Sequence, residues 1–389
     1  MRTYARYTLG IGAAVALLAG CGALPLSLSK GQDAAQPPIS APGAIQQGVR
    51  VAQSLPSAST YRVLYRFRGK DGANPIGGLI DIHGRLYGTT AGADLHLSHH
   101  FGSVFSLTIS GAARLLHRFD GAPDDGAKPG ADMINVRGTV YGTTPNGGSG
   151  CSGGRSLGCG TVFSITRTGT EKVLHSFDGA SDGRVPSAGL IYVKGRLYGT
   201  TAGGGDGGSG CTGYFCGTVF SITTNGTENV LYCFCYGTGD GLHPAAGLID
   251  VNGTLYGTTE YGGDTAICSN GCGTVFSVTT AGTEKVLYRF GRDSSDGVLP
   301  NSSLINVNGT LYGTTQQGGA HSDGTVFSVT TSGKEKVLYS FGGGFDGMWP
   351  YASLINVNGT LYGTTYYGGG IGCLRNDGHG CGTVFALKP

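Results

Sequence analysis

The chain has 389 residues, of which 75 are glycine and only 13% are charged; glycine is normally near 7% and charge near 25%. No Gly-X-Y period accompanies the glycine, which excludes collagen, and 39% apolar content with 20 tyrosines excludes a disordered chain. A formal net charge of +2, without a Lys/Arg cluster beyond the first few residues, lacks the basic footprint of a nucleic-acid binder, so no such partner is expected.

At the N-terminus, Arg2 and Arg6 precede an apolar run from Leu9 to Leu18. The run is shorter than the ~20 residues that span a bilayer but suits the apolar region of a secretory signal. It leads into Leu18-Ala19-Gly20-Cys21, which resembles the bacterial lipobox, whose cysteine is lipidated and becomes the new first residue. An ordinary signal peptide with an incidental cysteine is the plain alternative. Gly22, where an aspartate would favour retention at the inner membrane, favours the outer membrane or cell surface. Residues 1–21 therefore read as a lipoprotein signal with Cys21 as the lipidation site, and 22–60, rich in Ala, Pro, Gln and Ser, as a flexible tether. The expected partner of this end is a membrane, through lipid.

From residue 61 to 389 the chain repeats. The pentapeptide LYGTT, once with Val140 for leucine, puts tyrosine at 87, 141, 198, 256, 312 and 362, with gaps of 54, 57, 58, 56 and 50 residues. Self-similarity at a near-constant period marks a repeat architecture. In the fifth copy, runs at 304–307, 310–314, 325–330 and 335–341 are rich in β-branched and aromatic residues and separated by turn residues, predicting four consecutive strands. Asn308-Gly309 joins the first two, as a type I′ hairpin requires. Adjacent apolar pairs such as Val326-Phe327 and Val337-Leu338 predict strands covered on both faces, hence sheets stacked on one another. Radial four-stranded sheets of this length make a β-propeller. The expected fold is all-β, a six-bladed β-propeller of four-stranded antiparallel blades.

The ends of the array bear on closure. Arg62 to Phe67 already reads as a fourth strand, and the last copy stops after its third strand, Gly382 to Leu387. The N-terminal strand is therefore expected to complete the last blade and lock a monomeric ring.

Asp-Gly-x-x-Pro recurs in all six copies, from Asp71 to Asp346, as a corner between blades. Six convergent calcium ligands are the rival reading, but a ring of that size spreads them too far apart. The paired threonines, such as Thr89-Thr90 and Thr364-Thr365, read as strand residues before they read as a polar mouth. Cysteines pair locally as Cys151/Cys159, Cys211/Cys216, Cys268/Cys272 and Cys373/Cys381, between second and third strands, which in an exported chain reads as disulfides with zinc as competitor. Cys233 and Cys235 fall on one face of a strand, either buried as small apolar residues or joined to each other. His96, His99 and His100 in the first copy are weak metal candidates. No metal or cofactor is otherwise expected.

The unit from LYGTT through GTVFSVT, the EKVLY strand and the DGxxP corner resembles the GloVer tandem repeat of bacterial surface and exported proteins, over about residues 61–389. That resemblance implies a propeller-like extracellular domain with a choice of anchoring devices. The leading functional expectation is a non-catalytic, lipid-anchored envelope propeller that binds a glycan or protein through its loop-rich face, with Tyr214, Tyr261, Tyr366 and Tyr367 as contacts. The rivals are a propeller hydrolase or lyase acting on extracellular polysaccharide, and a scaffold subunit of an envelope complex. A polar pocket where unrepeated carboxylates and histidines converge would favour the enzyme, whereas an apolar rim patch would favour the scaffold.

Overall fold

The computed structural model describes residues 62–92, 101–151, 157–205, 216–234, 239–263, 267–342, 345–370 and 380–389, all within the second of two units into which the chain divides, Tyr61–Pro389. No helix occurs among the described residues, and none long and apolar enough to cross a membrane.

Each repeat is an antiparallel meander. The fifth consists of Ile305–Val307, Thr310–Thr315, Thr325–Thr330 and Glu335–Ser340, paired in that order. The first four repeats give the same four-stranded sheet, beginning at Ile80, Ile134, Ile191 and Ile249. The sixth has three strands, Ile355–Val357, Thr360–Thr364 and Val384–Leu387. The hairpin between first and second strands turns on two residues of positive φ, Asn308 at 52° and Gly309 at 85° in the fifth repeat. Arg137-Gly138 and Lys194-Gly195 make the same turn without asparagine, so glycine at the second position is the shared requirement.

Side chains from consecutive sheets build the core. One cluster joins Tyr256, Val275 and Phe290 of the fourth repeat to Leu304, Leu311 and Phe327 of the fifth. Equivalent clusters join the first to the second repeat, second to third, third to fourth and fifth to sixth. Phe290 lies edge-on to Phe327 with centroids 4.9 Å apart, and the same pairing recurs as Phe119–Phe163, Phe177–Phe220, Phe234–Phe276 and Phe341–Phe385. Both faces of a middle sheet are therefore covered, which explains its unbroken apolar runs. First strands of successive repeats lie side by side along one edge of the array.

The glycine of LYGTT is required by this packing. A Cβ on Gly257 would stand 2.6 Å from the Phe276 ring and 3.0 Å from Leu248. In the DGxxP corner, positive φ falls mainly on a different residue from the glycine expected to carry it. The residue before proline adopts φ near 58° in all six corners (Asn74, Lys128, Val185, His243, Leu299 and Trp349), while among the corner glycines only Gly72, at 122°, and Gly183, at 97°, have positive φ. Gly126, Gly241 and Gly297 serve close approach instead, because a Cβ there would strike the second threonine of the pair at about 2.5 Å.

Candidate functional site

Most of the recurring polar residues bond within the fold. Each corner aspartate accepts a hydrogen bond from the side chain near the end of the preceding fourth strand: His117 to Asp125 at 2.9 Å, His175 to Asp182 at 2.8 Å, Tyr232 to Asp240 at 2.7 Å, Tyr288 to Asp296 at 2.8 Å and Tyr339 to Asp346 at 2.8 Å, with Tyr65 to Asp71 alike. The second threonine of each pair bonds the hydroxyl that opens the third strand, as Thr144 does with Thr161 at 2.8 Å. The first reaches the next repeat, Thr143 donating to the Ala188 carbonyl at 2.9 Å and Thr258 to that of Ser302 at 3.1 Å. Apart from the exposed Thr364, these threonines are buried, and apart from Thr89, whose buried hydroxyl has no partner, the buried ones tie strands within or between sheets.

His117 and Asp125, with Glu171 of the next repeat, bring ligand atoms within 4.8 Å of one another. Tyrosine replaces this histidine in the first, fourth, fifth and sixth corners and makes the same bond to aspartate. The shared role is donation to the carboxylate, and that accounts for the cluster without a metal. Glu171 opens a fourth strand, as do Glu228, Glu284 and Glu335. Each has a buried carboxylate oxygen without a hydrogen-bond partner, and burial pushes each carboxyl up to about 7.

Cys151–Cys159 and Cys268–Cys272 are disulfides. Cys216 and Cys381 are also disulfide-bonded, and the partners expected for them, Cys211 and Cys373, lie outside the described residues. So do Tyr214, Cys235 and the histidines at 96, 99 and 100, as well as Cys21. Cys233 directs its Sγ to the Gly205 carbonyl.

What the repeats do not share gathers in one place. In every repeat the corner pairs with the residues just after the threonines, as Gly241-Leu242 does with Tyr261-Gly262 and Gly347-Met348 with Tyr367-Gly368. This pairing sets the residue before the corner proline, the residue after it and those after the threonines into one rim. The first three repeats fill most of these places with small or apolar residues such as Ile76, Ala91, Gly130, Pro145, Val185 and Ala202, with Asn74, Lys128 and Asn146 as the polar exceptions. The last three, beside Ala245 and Leu299, hold His243, Glu260, Tyr261, Asn301, Gln316, Trp349, Tyr351, Tyr366 and Tyr367.

These side chains form one network. His243 Nδ1 lies 2.7 Å from Glu260 Oε2. Burial disfavours the charge on Glu260, but His243, Tyr261 and Asn301 more than offset it, holding the carboxyl below its usual range. Burial and the Glu260 charge push Tyr261 up to about 12, so it stays a hydrogen-bond donor. Asn301 Nδ2 donates to Gln316 Oε1 at 3.2 Å, and Gln316 Nε2 donates to Tyr351 Oη at 2.5 Å. Tyr351 meets Tyr366 edge-on at 5.7 Å, Tyr366 meets Tyr367 at 4.6 Å, and Tyr367 meets Trp349 at 5.2 Å. Of the tyrosines singled out from sequence, the structure brings Tyr366 and Tyr367 together and sets Tyr261 in the same network. Sequence reasoning missed the polar half, His243, Glu260, Asn301 and Gln316, together with Trp349 and Tyr351. The available signal was departure from the consensus at aligned positions.

The fold is thus a tandem array of antiparallel four-stranded sheets with an asymmetric polar and aromatic rim, which defines a class of repeat proteins. The chain belongs to the family described as the Gloeobacter/Verrucomicrobia repeat, matched over residues 41–213 and 211–389. A search of curated proteins finds no match. Among solved structures the chain is similar to an acylaminoacyl peptidase of Pyrococcus horikoshii (9% identity, TM-score 0.41, 75% of this chain and 43% of the peptidase). It thus spans less than half of that protein. It is also similar to a Thermus thermophilus putative oxidoreductase, described as a glucose dehydrogenase (15%, 0.41, 81% and 97%). A third is the subtype N11 neuraminidase-like protein of an influenza A virus from a flat-faced bat (10%, 0.41, 83% and 91%).

Proposed function

We propose that the chain is a non-catalytic envelope protein, a closed six-bladed propeller held to a membrane by lipid on Cys21, that binds a glycan or protein through its loop-rich rim. The observation that supports this reading is the concentration of unrepeated aromatic and linked polar side chains on the rim of three consecutive repeats, where rigid sheets hold them.

Closure is supported by unmatched surfaces at the two ends. Leu79 of the first repeat is 54% exposed, whereas its equivalents Met133, Leu190, Leu248, Leu304 and Leu354 are between 1% and 5% exposed. Val384 in the last repeat is 80% exposed, and its five equivalents, among them Val104 and Val326, are 0% exposed. Residues 62–67 already sit against the first repeat as a fourth strand sits against the repeat that follows it: Phe67 lies edge-on to Phe105 at 4.9 Å, and the Leu64 carbonyl meets Gly111 as that of Leu116 meets Gly169. Pairing 62–67 with Val384–Leu387 would complete the sixth blade and cover both surfaces with one contact.

One observation favours the enzyme reading, namely the 2.7 Å approach of His243 to Glu260. The described rim network holds no second carboxylate, which acid–base hydrolysis of a glycoside ordinarily requires. The test is binding of the full-length chain to envelope glycan and protein fractions, with Tyr366→Ala and Tyr351→Ala as variants and hydrolysis of the same fractions as a parallel readout. Retained binding in both variants would refute the site, and release of cleaved product that stops in Glu260→Gln would replace binding by catalysis.

A further inference from the structure

We infer that the rim of the last three repeats is a saccharide site, selective for neutral pyranosides over acidic ones. This rests on the binding reading above and narrows it to one ligand class.

Two observations point to sugar. The first is an exposed aromatic surface set among polar side chains. Tyr366 is 53% and Tyr351 41% exposed, and each is braced by a neighbouring ring, so their faces are offered with few torsions left to freeze. Such a ring suits the carbon-bound hydrogens on one side of a pyranose. A lipid tail would need an enclosed apolar channel, and the groups beside these rings are amides and a carboxylate.

The second is the fixed polar chain along the same edge. Asn301 donates to Gln316 and Gln316 to Tyr351, so each amide is locked in one orientation. The phenol of Tyr351, already an acceptor from Gln316, keeps its own hydrogen to donate. Planar amide and carboxylate groups pair with vicinal hydroxyls, each of which donates and accepts at once. Among the described residues Glu260 is the only carboxylate in the network, and no described lysine or arginine belongs to it. A uronate or sulfated sugar would meet a like charge without a compensating cation and is disfavoured.

The chain carries its own reporter, because Trp349 is its only tryptophan and packs against Tyr367 in this cluster. The experiment is titration of the full-length protein with neutral gluco-, manno-, galacto- and N-acetylglucosamine oligosaccharides, and in parallel with oligogalacturonate, following Trp349 fluorescence. At least one neutral series should change the emission saturably, with oligogalacturonate at least tenfold weaker. Tyr366→Ala should weaken binding tenfold or more, and Tyr366→Phe should restore most of it, which separates stacking from misfolding. A flat response to every neutral sugar, equal binding of the acidic one, or full affinity in Tyr366→Ala and Tyr351→Ala would overturn the inference. If no sugar binds but an envelope protein is retained in a manner that needs Tyr366, the ligand class is wrong and the binding reading stands. If neither binds, both fail.

Discussion

Glu171, Glu228, Glu284 and Glu335 should make the repeat array more stable in mild acid than at neutral pH. Each opens a fourth strand and faces charge from the preceding repeat. Glu171 meets His117 and Asp125; Glu228 meets His175, Asp182 and Asp178, with Arg196 of its own sheet; Glu284 meets Asp240 and Arg289; and Glu335 meets Asp296, Tyr288, Arg292 and Asp293. Burial, aided by the facing aspartates, raises each carboxyl from 4.5 to about 7. A raised folded-state value means that the native protein holds protons the unfolded chain has released, so stability is full below about pH 4.5 and falls as pH rises through 7. At face value the difference is roughly 3 kcal/mol per group. These side chains keep contact with water, and screening reduces that to about 1 kcal/mol each. Four groups then give about 4 kcal/mol, or about 6 °C in melting temperature for a body of this size. His117, also raised, acts in the same direction, whereas Asp178, at about 2, and Glu260, held low, lose their contributions only below the window. The assay is thermal melting from pH 5 to pH 8, with the fourfold Glu→Gln variant as control. The wild type should lose several degrees across that range and the variant should lose little. A flat wild-type profile, or an equal slope in the variant, would refute the reasoning.

Four further outcomes follow from the same packing. Leu79→Asp should destabilise by about 2 kcal/mol or more if ring closure buries that side chain, and by less than about 0.5 kcal/mol if it stays exposed, which chemical denaturation separates. Removing residues 22–67 should lower the melting temperature sharply, since the last repeat then has no outer strand to recruit; an unchanged value would contradict closure. Gly257→Ala should cost about 1 to 3 kcal/mol, because its Cβ would overlap the Phe276 ring, and a neutral result in denaturant melts would mean that the sheets can separate at low cost. Asp296→Ala strips a buried acceptor from Tyr288 and from the Arg292 and Gly297 amides, so a loss of about 2 to 4 kcal/mol is expected in the same assay.

Strands, hairpins and period were legible because they depend on neighbours in sequence. Asn308-Gly309 can be read as a turn from two letters, and Val326-Phe327 as a doubly covered strand from its lack of alternation. The corner was legible as a corner but not in its geometry, since the positive φ before Pro244 or Pro350 is imposed by pairing with residues some 20 positions away. The glutamates that open the fourth strands look like ordinary exposed strand ends, because the aspartates beside them belong to another repeat. The rim was half legible. Tyr366 and Tyr367 stood out as exposed aromatics, whereas Glu260 and Gln316 gain meaning only when consecutive repeats bring them next to Asn301 and Tyr351.

Closure, as proposed, would turn six similar sheets into a ring with one differentiated rim, and hydrogen exchange read by mass spectrometry tests it most directly. In a closed ring, the amides of 62–67 and Val384–Leu387 pair with each other and should exchange as slowly as those of the third and fourth strands of the fifth repeat, Thr325–Thr330 and Glu335–Ser340. Rapid exchange of 62–67, with Val384–Leu387 protected only on the side that faces Thr360–Thr364, would contradict the account.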